Sequence, residues 1–461
     1  MSESKGKYRL AITNALMIQP GEPENPVTAD LLVAQDGTIA YIGSETKDKI
    51  ENADRVIDAT GKWLLPGFVS AHSHLWQHGL ASRAPNSNVA EWSTVVGNSM
   101  RRVRPCDMYM VTFNGALGHV RKGITTAFNS TCCLAFRDGR AERAQFEAVL
   151  DAGIRFVHGF SIGHVTKRWS EARAIARTEL FRSWCSTFDV PDHFFGSRMV
   201  LQGLEYDEKR TLATEAMIKK RFSLDGYISY LESPDSNHIA VGKAGWAWLK
   251  EFELVHQEMT IGHFLHTSTA PEIVQEAAKA GMRMTWNPLS NGRLGSGVLD
   301  LPKDIPIALG VDGEAASGRC DPFENMRMGL YSVRQSKQSA GALAPHEIYF
   351  MHTLGAAQVL NIADRVGSLE TGKLADMILL KPPHTREIRD HVSALVFASG
   401  VEDIEVVFIG GLEEWPRSRP MPTMAHGGRW KPWNIKLEHT SKSTQKPQSD
   451  DSKSNPDRVG K

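Results

Sequence analysis

Two histidines, His72 and His74, end the apolar segment Leu-Pro-Gly-Phe-Val-Ser-Ala-His-Ser-His of residues 65–74. The pattern predicts a short buried strand that follows a Pro-Gly loop signal and runs into the histidines. Alternate side chains of a strand share one face, so the two imidazoles would lie about 6–7 Å apart along the chain and could converge on one cation. Neutral imidazole is a favoured zinc ligand. A polar strand end is the alternative interpretation.

Two more polar residues follow apolar, strand-like segments later in the chain. Asp312 ends the segment of residues 305–311 and precedes Gly313. A carboxylate there can bind a metal and accept a proton from water, whereas a turn aspartate before glycine is the alternative. His263 follows Met-Thr-Ile-Gly at another predicted strand end, and His266 lies three residues further on. The pattern predicts that these groups meet where parallel strands end.

The central part of the chain has the pattern that would place such strand ends together. Residues 123–128 and 153–160 are predicted strands, and residues 140–152 between them form an amphipathic helical pattern. Residues 199–204 are a further strand, which a helix over 208–221 follows. Alternating strands and helices are typical of βαβ units and a parallel sheet.

Four further blocks stand in order behind the histidine motif. They are Gly-His-Phe at 262–264, Trp-Asn-Pro-Leu-Ser-Asn with Gly-Ser-Gly within 286–297, Ala-Leu-Gly-Val-Asp-Gly at 308–313, and Val-Gly-Ser-Leu-Glu-Thr-Gly-Lys-Leu-Ala-Asp-Met-Ile-Leu-Leu at 366–380. With these blocks the chain resembles the amidohydrolase superfamily from about residue 8 to about residue 415. It is most similar to the mononuclear-metal branch of cytosine/adenosine-type deaminases and s-triazine chlorohydrolases.

The resemblance implies an α/β fold, a (β/α)8 TIM barrel with its chemistry at the carboxyl ends of the strands. Both chain ends alternate short apolar strands with turn residues, and neither carries enough apolar surface to stand alone. We therefore expect residues 1–66 and 374–435 to form the two halves of one small β-sandwich and residues 67–373 to form the barrel. Residues 436–461 are polar and are predicted to be a disordered tail.

The resemblance also assigns roles to the chemical residues. In that family the aspartate of the eighth strand binds the metal and serves as the base, which points to Asp312. The histidine of the sixth strand orients the water or polarises the substrate, which points to His263 as catalytic. The predicted metal ligands are His72, His74, His238 and Asp312, and the predicted substrate contacts are Trp76, Gln77 and Asn291. One divalent ion is expected, zinc first and iron as the alternative.

The fifth strand leaves an alternative open. The family places a histidine there, and its deaminases follow that histidine after two residues with a glutamate. Residues 226–231 are strand-like but carry Tyr230 where histidine is expected, whereas His238 would serve if residues 238–241 formed the strand. Neither residue is followed by glutamate at the third position, although Glu232 could substitute from a neighbouring position. This departure weakens the case for deamination of a ring, which uses the glutamate to protonate a ring nitrogen.

Composition excludes several classes of function. Lys plus Arg and Asp plus Glu both number 53, so no net charge favours nucleic acid or an anionic membrane. No apolar run approaches the ~20 residues of a membrane span, and the N-terminus lacks an apolar signal core, which predicts a cytoplasmic protein. Five cysteines argue against a disulfide framework, and the adjacent Cys132 and Cys133 are predicted to be buried packing residues.

These features together predict a metal-dependent hydrolase that breaks a carbon–nitrogen bond other than a peptide bond, as a deaminase or an amidohydrolase, through a metal-activated water. Its substrate would be a small, cyclic molecule. Two alternatives are a chlorohydrolase-like or decarboxylase-like enzyme on the same site, and a metal-deficient, non-catalytic barrel scaffold. Homo-oligomerisation is left open, because members of the resembling family are commonly dimers or larger.

Overall fold

A computed structural model describes residues 7–21, 26–44, 46–100, 103–131, 139–162, 170–204, 208–383 and 388–416. All structural statements concern these ranges. Cys132, Cys133 and the predicted tail at 436–461 lie outside them. The other cysteines, Cys106, Cys185 and Cys320, are free thiols.

The strands of the described ranges form two sheets of eight strands each. They are β1 (Tyr8–Met17), β2 (Val27–Ala34), β3 (Ile39–Gly43), β4 (Val56–Asp58), β5 (Trp63–Pro66), β6 (Phe68–Ser73), β7 (Ile124–Ser130), β8 (Arg155–Phe160), β9 (Phe194–Leu201), β10 (Asp225–Tyr230), β11 (Met259–His263), β12 (Arg283–Trp286), β13 (Ile307–Leu309), β14 (Met377–Leu380), β15 (Ile404–Ile409) and β16 (Leu412–Trp415).

The helices mostly lie between the strands of the second sheet. They are α1 (Lys47–Ile50), α2 (Val89–Met100), α3 (Pro105–Val120), α4 (Arg140–Ala152), α5 (Glu171–Cys185), α6 (Lys209–Phe222), α7 (Ser236–Glu251), α8 (Pro271–Lys279), α9 (Pro288–Arg293), α10 (Glu314–Ser317), α11 (Pro322–Lys337), α12 (Pro345–Met351), α13 (Leu354–Val359) and α14 (His391–Ala398). None of the helices within the described ranges is long and apolar enough to cross a lipid bilayer.

Strands β6 to β13 are parallel and pair in chain order. The first and last strands then meet through a bridge between Ser73 and Asp312. Asp312 lies just after β13, and its N–H donates to the His72 carbonyl at 2.9 Å. This hydrogen bond closes the ring of strands. The predicted (β/α)8 barrel is therefore confirmed.

Helix α4 shows how the sequence determines one unit of the barrel. Most of its buried residues recur at three- and four-residue spacing, the period of one helix face: Ala141, Ala144, Gln145, Ala148, Val149 and Ala152. Glu142 and Phe146 are also buried and widen that face. Gly139 and Gly153 flank the helix with φ of 79° and 80°, a backbone conformation that glycine adopts without strain. The helix begins and ends where the sequence predicts.

The chain termini form the other sheet together. Strand β1 pairs with β2, β4 and β5, and β5 continues through an antiparallel pairing with β14 into β15 and β16. Neither half of the chain could complete this mixed sheet without the other, as the sequence predicts. Arg155, which begins β8, donates to Asp376 just before β14, through Nε at 2.7 Å and Nη2 at 2.9 Å. This buried ion pair connects the terminal sheet to the N-terminal end of the barrel.

Candidate active site

Four side chains converge at the carboxyl ends of the barrel strands. Potential ligand atoms of His72, His263 and Asp312 lie within 4.8 Å of one another, and all three residues are buried. Nε2 of His72 and Nε2 of His74 each lie 3.7 Å from Oδ1 of Asp312. The structure thus brings together four of the residues predicted from sequence.

The backbone is irregular at or near the residues that carry these side chains. Ser70 of β6 faces Ala127 of β7, but Ser73 faces Asn129, so three steps on β6 match two on β7. Such a β-bulge changes which side chains of a strand face inward. His263 and Asp312 have φ of 65° and 57°, in the left-handed region that non-glycine residues rarely adopt. Conformations of this kind concentrate at functional sites.

Hydrogen bonds and burial determine the protonation of His72 and His74, the histidines at the end of β6. Nδ1 of His74 lies 2.9 Å from the Ser130 carbonyl, to which it donates, so Nε2 carries the lone pair that faces Asp312. Burial lowers the pKa of His72 well below its usual value, and the nearby His74 and His263 add to the effect. Burial also lowers the pKa of His74. Both imidazoles are therefore neutral, the form that binds metal.

The charge of Asp312 argues for a cation at this place. Its ion-pair partners among the described residues are His72 and His74, which burial keeps neutral. A buried carboxylate without a positive partner is costly, and such groups are paired or coordinate metals. Three imidazoles and one carboxylate are the donor set that zinc prefers. The residues present therefore fit one divalent metal ion.

Amide side chains surround His263. Nδ2 of Asn291 lies 3.1 Å from the His263 Nδ1 atom, and Nδ2 of Asn287 lies 3.3 Å from the same atom. The amide oxygens of Asn287, Asn291 and Gln77 are buried and have no hydrogen-bond partner in the described part of the chain. Buried polar atoms are nearly always bonded, so these oxygens suit donors from a bound molecule.

The other predicted substrate contact, Trp76, lies beside the metal-ligand cluster. Its indole ring meets the His74 imidazole edge to face, with 5.8 Å between ring centroids. Its Nε1 donates to the Ser130 carbonyl at 3.1 Å, the same oxygen that orients His74. The indole N–H is therefore already bonded, and only the ring face remains for a substrate.

Strand β10 differs from its sequence interpretation by one residue. Tyr227 stacks on His72 inside the barrel, with 5.1 Å between centroids, so Ser229 two residues later shares that inner face. Tyr230 points outward, where its hydroxyl donates to the Gly242 carbonyl and its ring packs against Trp246 of α7. Ser229, and not Tyr230, therefore stands at the inward position near the end of the fifth strand.

His238 lies apart from the cluster. It belongs to the first turn of α7, and its backbone N–H donates to the Asp235 side chain at 3.0 Å, as at a capped helix start. The alternative in which residues 238–241 form the fifth strand is therefore wrong, because these residues are helical. The structure does not bring His238 to the other predicted ligands. His266 is separate too, with Nε2 3.0 Å from the Ser296 carbonyl.

Glu232, which the sequence interpretation kept only as a substitute for the missing glutamate, lies beside His263. It follows Ser229 at the third position, and its Oε1 lies 3.3 Å from Nδ1 of His263. Burial, with a further contribution from the charge of Asp312, raises the pKa of Glu232 to about 8. Alternation from Tyr227 would have identified the Ser-x-x-Glu spacing, had the inward face of the strand been known.

The chain is similar to known proteins over most of its length. Residues 247–413 match the amidohydrolase family. A 5'-deoxyadenosine deaminase of Methanosarcina mazei is 26% identical over 422 residues, which cover 87% of this chain and 91% of the relative. A 5-methylthioadenosine/S-adenosylhomocysteine deaminase of Bacillus cytotoxicus is 25% identical, with 87% and 93% covered.

Solved structures share the fold. An adenosine deaminase of Xanthomonas campestris with bound zinc aligns with a TM-score of 0.74 at 21% identity, over 89% of this chain and 93% of that one. A mutant atrazine chlorohydrolase of Arthrobacter aurescens, complexed with zinc and atraton, aligns with a TM-score of 0.75 at 20% identity, over 88% and 94%.

A parallel barrel with histidines and an aspartate at its strand ends defines a metal-dependent barrel hydrolase. With the family match and the deaminase relatives, the predicted resemblance to the amidohydrolase superfamily and its deaminases is confirmed, and the triazine chlorohydrolase structure shares its fold. The predicted enzyme class, a hydrolase of carbon–nitrogen bonds other than peptide bonds, is confirmed with it.

Proposed function

We propose that this enzyme is a deaminase that removes an exocyclic amino group from a small nitrogen heterocycle of the adenine type. The position of Glu232 carries the proposal. Deamination of a ring needs an acid that protonates a ring nitrogen, and the Glu232 carboxyl lies beside His263 in the cluster that contains Asp312. The deaminases among the relatives, which act on 5'-deoxyadenosine and 5-methylthioadenosine, support the choice of ring.

The proposed metal site consists of His72, His74, His263 and Asp312, and we propose a single zinc ion as its occupant. When bound, the ion supplies a Lewis acid and lowers the pKa of a coordinated water toward neutrality. The zinc in the aligned deaminase and chlorohydrolase structures supports the choice of metal. His238 has no part in this ligand set.

Two carboxyl groups move the protons. As water adds to the ring carbon that bears the amino group, Asp312 accepts a proton from the water and Glu232 gives one to the adjacent ring nitrogen. On collapse, Asp312 returns its proton to the departing amine, which leaves as ammonia. Glu232 recovers a proton from the new hydroxyl group, which becomes a carbonyl. Both carboxyl groups end in their starting state, and one water is consumed for each ammonia released.

The predicted substrate contacts fit this reaction. The unpartnered oxygens of Gln77 and Asn291 accept hydrogen bonds, and an aminated ring offers N–H donors. The Trp76 ring face would then lie against the planar substrate, since its N–H is occupied. The chlorohydrolase-like, decarboxylase-like and metal-deficient alternatives are not favoured.

We further propose a cytoplasmic location and a small molecule as the substrate, without nucleic acid or membrane as partners; a homo-oligomer remains part of the proposal. Equal numbers of acidic and basic residues support the view that no polyanion is bound. Size-exclusion chromatography with light scattering would measure the oligomeric state directly.

Metal content is the first measurement. Mass spectrometry of the purified wild type is expected to give about one zinc per chain, His72→Ala to lose it, and His238→Ala to retain it. His238→Ala is a matched control, because it removes an imidazole outside the cluster. Loss of metal in His238→Ala alone would contradict the ligand set.

Ammonia release tests the reaction. The enzyme is expected to release ammonia from adenosine or 5'-deoxyadenosine, and Glu232→Gln to slow this by about 10²–10⁴-fold with its zinc retained. Glu272 is an exposed residue of α8, and Glu272→Gln should release ammonia at the wild-type rate. Release of chloride from a chlorinated triazine, or of carbon dioxide from an aromatic acid, without ammonia from any amino heterocycle would overturn the proposal.

A further inference from the structure

The two histidines of the His-x-His motif are anchored in different ways. His74 is held by its Nδ1 bond to the Ser130 carbonyl. Nδ1 of His72 is buried without a hydrogen-bond partner in the described part of the chain. Metal-binding histidines almost always fix their second ring nitrogen with such a bond, since the bond orients the ring. Something else must therefore orient the His72 imidazole.

Tyr227 supplies a flat surface for that imidazole. The two rings are parallel to within 5°, and their centroids are 5.1 Å apart. Phe128 adds a second aromatic wall, with its centroid 5.0 Å from Tyr227 and 6.4 Å from His72. The rings of His74 and His263 approach His72 nearly perpendicular, with centroids 4.7 Å and 5.4 Å away. The face of His72 thus rests on Tyr227.

The Tyr227 side chain is itself held in place by residues of two neighbouring strands. Its hydroxyl lies 3.2 Å from Oγ1 of Thr285 on β12, and its side chain is buried. Gly262 on the neighbouring β11 makes room for it, because a Cβ there would overlap the Tyr227 hydroxyl. Three strands, β10, β11 and β12, therefore determine where this ring lies.

We propose that Tyr227 is a positioning residue that orients the His72 imidazole for metal binding by ring stacking, in place of the missing hydrogen bond. This inference rests on the proposed function, because it presupposes that His72 binds a metal. Ring stacking constrains the tilt of the imidazole but requires no donor or acceptor, so the aromatic ring is the part of Tyr227 that matters and the hydroxyl only secures it.

Zinc affinity, measured by competition with a chromogenic chelator, tests the proposal. Tyr227→Leu removes the ring and is expected to weaken zinc binding about 10–100-fold, the usual cost of losing a group that orients a ligand. Tyr227→Phe keeps the ring and should stay within about threefold of the wild type. The absorption bands of the cobalt-substituted protein should shift in Tyr227→Leu and be preserved in Tyr227→Phe.

Tyr349→Leu is the matched control for general damage to the core. Tyr349 is also fully buried, and its hydroxyl donates at 2.9 Å to the carbonyl of Ile18, which follows β1 of the terminal sheet. It should lose thermal stability as Tyr227→Leu does, with zinc affinity and the cobalt spectrum unchanged.

The outcomes separate this inference from the function on which it rests. Wild-type protein that binds no zinc or cobalt would overturn both. Wild-type protein that binds zinc, with equal affinity in Tyr227→Leu, would overturn the role of Tyr227 alone. Equal weakening in Tyr349→Leu would also overturn it, because the effect would then come from lost packing rather than from the stacked ring.

Discussion

Two buried aspartates, Asp376 and Asp312, lie at opposite ends of the barrel, each with only 4% of its surface exposed. Asp376 accepts two hydrogen bonds from the Arg155 guanidinium and one from the Gly410 N–H at 2.9 Å. Asp312 accepts a hydrogen bond from the Gly313 N–H and otherwise faces histidines that burial keeps neutral. The two aspartates are thus equally buried, but Asp376 faces a cationic side chain and Asp312 faces neutral histidines.

The contrast separates structural chemistry from catalytic chemistry. At the N-terminal end the protein supplies its own cation, Arg155, and the carboxylate connects the two sheets. At the carboxyl end, the described part of the chain pairs the negative charge of Asp312 with no cationic side chain. That arrangement stabilises the fold poorly and suits a metal ion well.

Asp312→Asn should have the largest effect on activity. We expect ammonia release to fall by about 10²–10⁴-fold, since the proton acceptor and a metal ligand are both lost. The metal-free variant should unfold at the same or a higher urea concentration than the metal-free wild type, because an uncompensated buried charge is gone. Urea unfolding in the presence of a chelator measures this. A clear loss of stability would show that Asp312 is satisfied within the fold, contrary to the comparison.

Asp376→Asn should produce the reverse. It leaves Arg155 buried without its partner and should cost about 3–5 kcal/mol in the free energy of unfolding. The folded enzyme should keep its metal content and its kcat at low temperature. Glu405→Gln, which breaks the more exposed pairs with Lys62 and Lys381, is the control and should cost no more than about 1 kcal/mol. If Asp376→Asn lost metal instead, the two ends of the barrel would not be independent.

His352 makes the N-terminal end sensitive to acid. Its Nδ1 donates to the Val69 carbonyl on β6 at 3.0 Å, and burial lowers its pKa to about 4. In the unfolded chain a histidine titrates near pH 6.5, so between pH 6.5 and 4 only the unfolded chain takes up this proton. The neutral, buried His352 therefore contributes fully to the free energy of unfolding above pH 6.5. This contribution, about 3 kcal/mol in total, is lost as the pH falls from 6.5 to 4.

Urea unfolding at pH 7.5 and pH 5.0 measures this effect. His352→Gln keeps a side-chain donor but cannot be protonated, so its stability should fall less between the two pH values than that of the wild type. The same pH dependence in both proteins would show that His352 does not contribute.

Arg293→Lys is a substitution at the carboxyl end of the barrel, and it should have the smallest effect of these substitutions. The guanidinium donates through Nη2 to the carbonyls of Ala81 and Arg83 after β6, and through Nη1 to those of Ala315 and Ala316 in α10. A lysine cannot reproduce this planar set, and losing one such bond costs about 1.5–3 kcal/mol. Because Asn291 lies two residues away on α9, we expect a higher KM with little change in kcat.

Arg327→Lys is the corresponding control. Arg327 also donates to two carbonyls, those of Val396 and Ser399, but these lie at the end of α14 and just after it rather than on a loop of the site. It should lower stability and leave KM unchanged. Equal changes of KM in both variants would show that the contacts of Arg293 have no specific effect on substrate binding.

The sequence predicts the barrel well where each element has one buried face. Helix α4 was predicted to the residue because its apolar period and its flanking glycines agree. The His-x-His motif was interpretable because a Pro-Gly loop signal and an apolar strand precede it. The order of the blocks that follow carried the remaining assignments.

Strand β10 could not be assigned correctly, because both of its faces are buried. Tyr227 and Tyr230 are equally apolar in sequence, yet one faces the barrel interior and the other packs on α7. Alternation therefore does not show which residue points at the metal-ligand cluster. The bulge in β6 and the left-handed backbone of His263 and Asp312 also depend on neighbouring strands, and single-sequence periodicity carries no trace of them.

The bonds that close the barrel are made by two of the residues that would hold the metal and by their neighbours in the chain. The Asp312 N–H reaches the His72 carbonyl, and the nearby bond from Val311 to Ser70 spans 241 residues of sequence. A contact of such long range forms late, after the intervening units have folded and shortened the loop to be closed. During synthesis the histidine motif emerges long before its aspartate. A chain interrupted before residue 312 would present histidines without their aspartate, so metal loading would report on completion of the last barrel strand, β13.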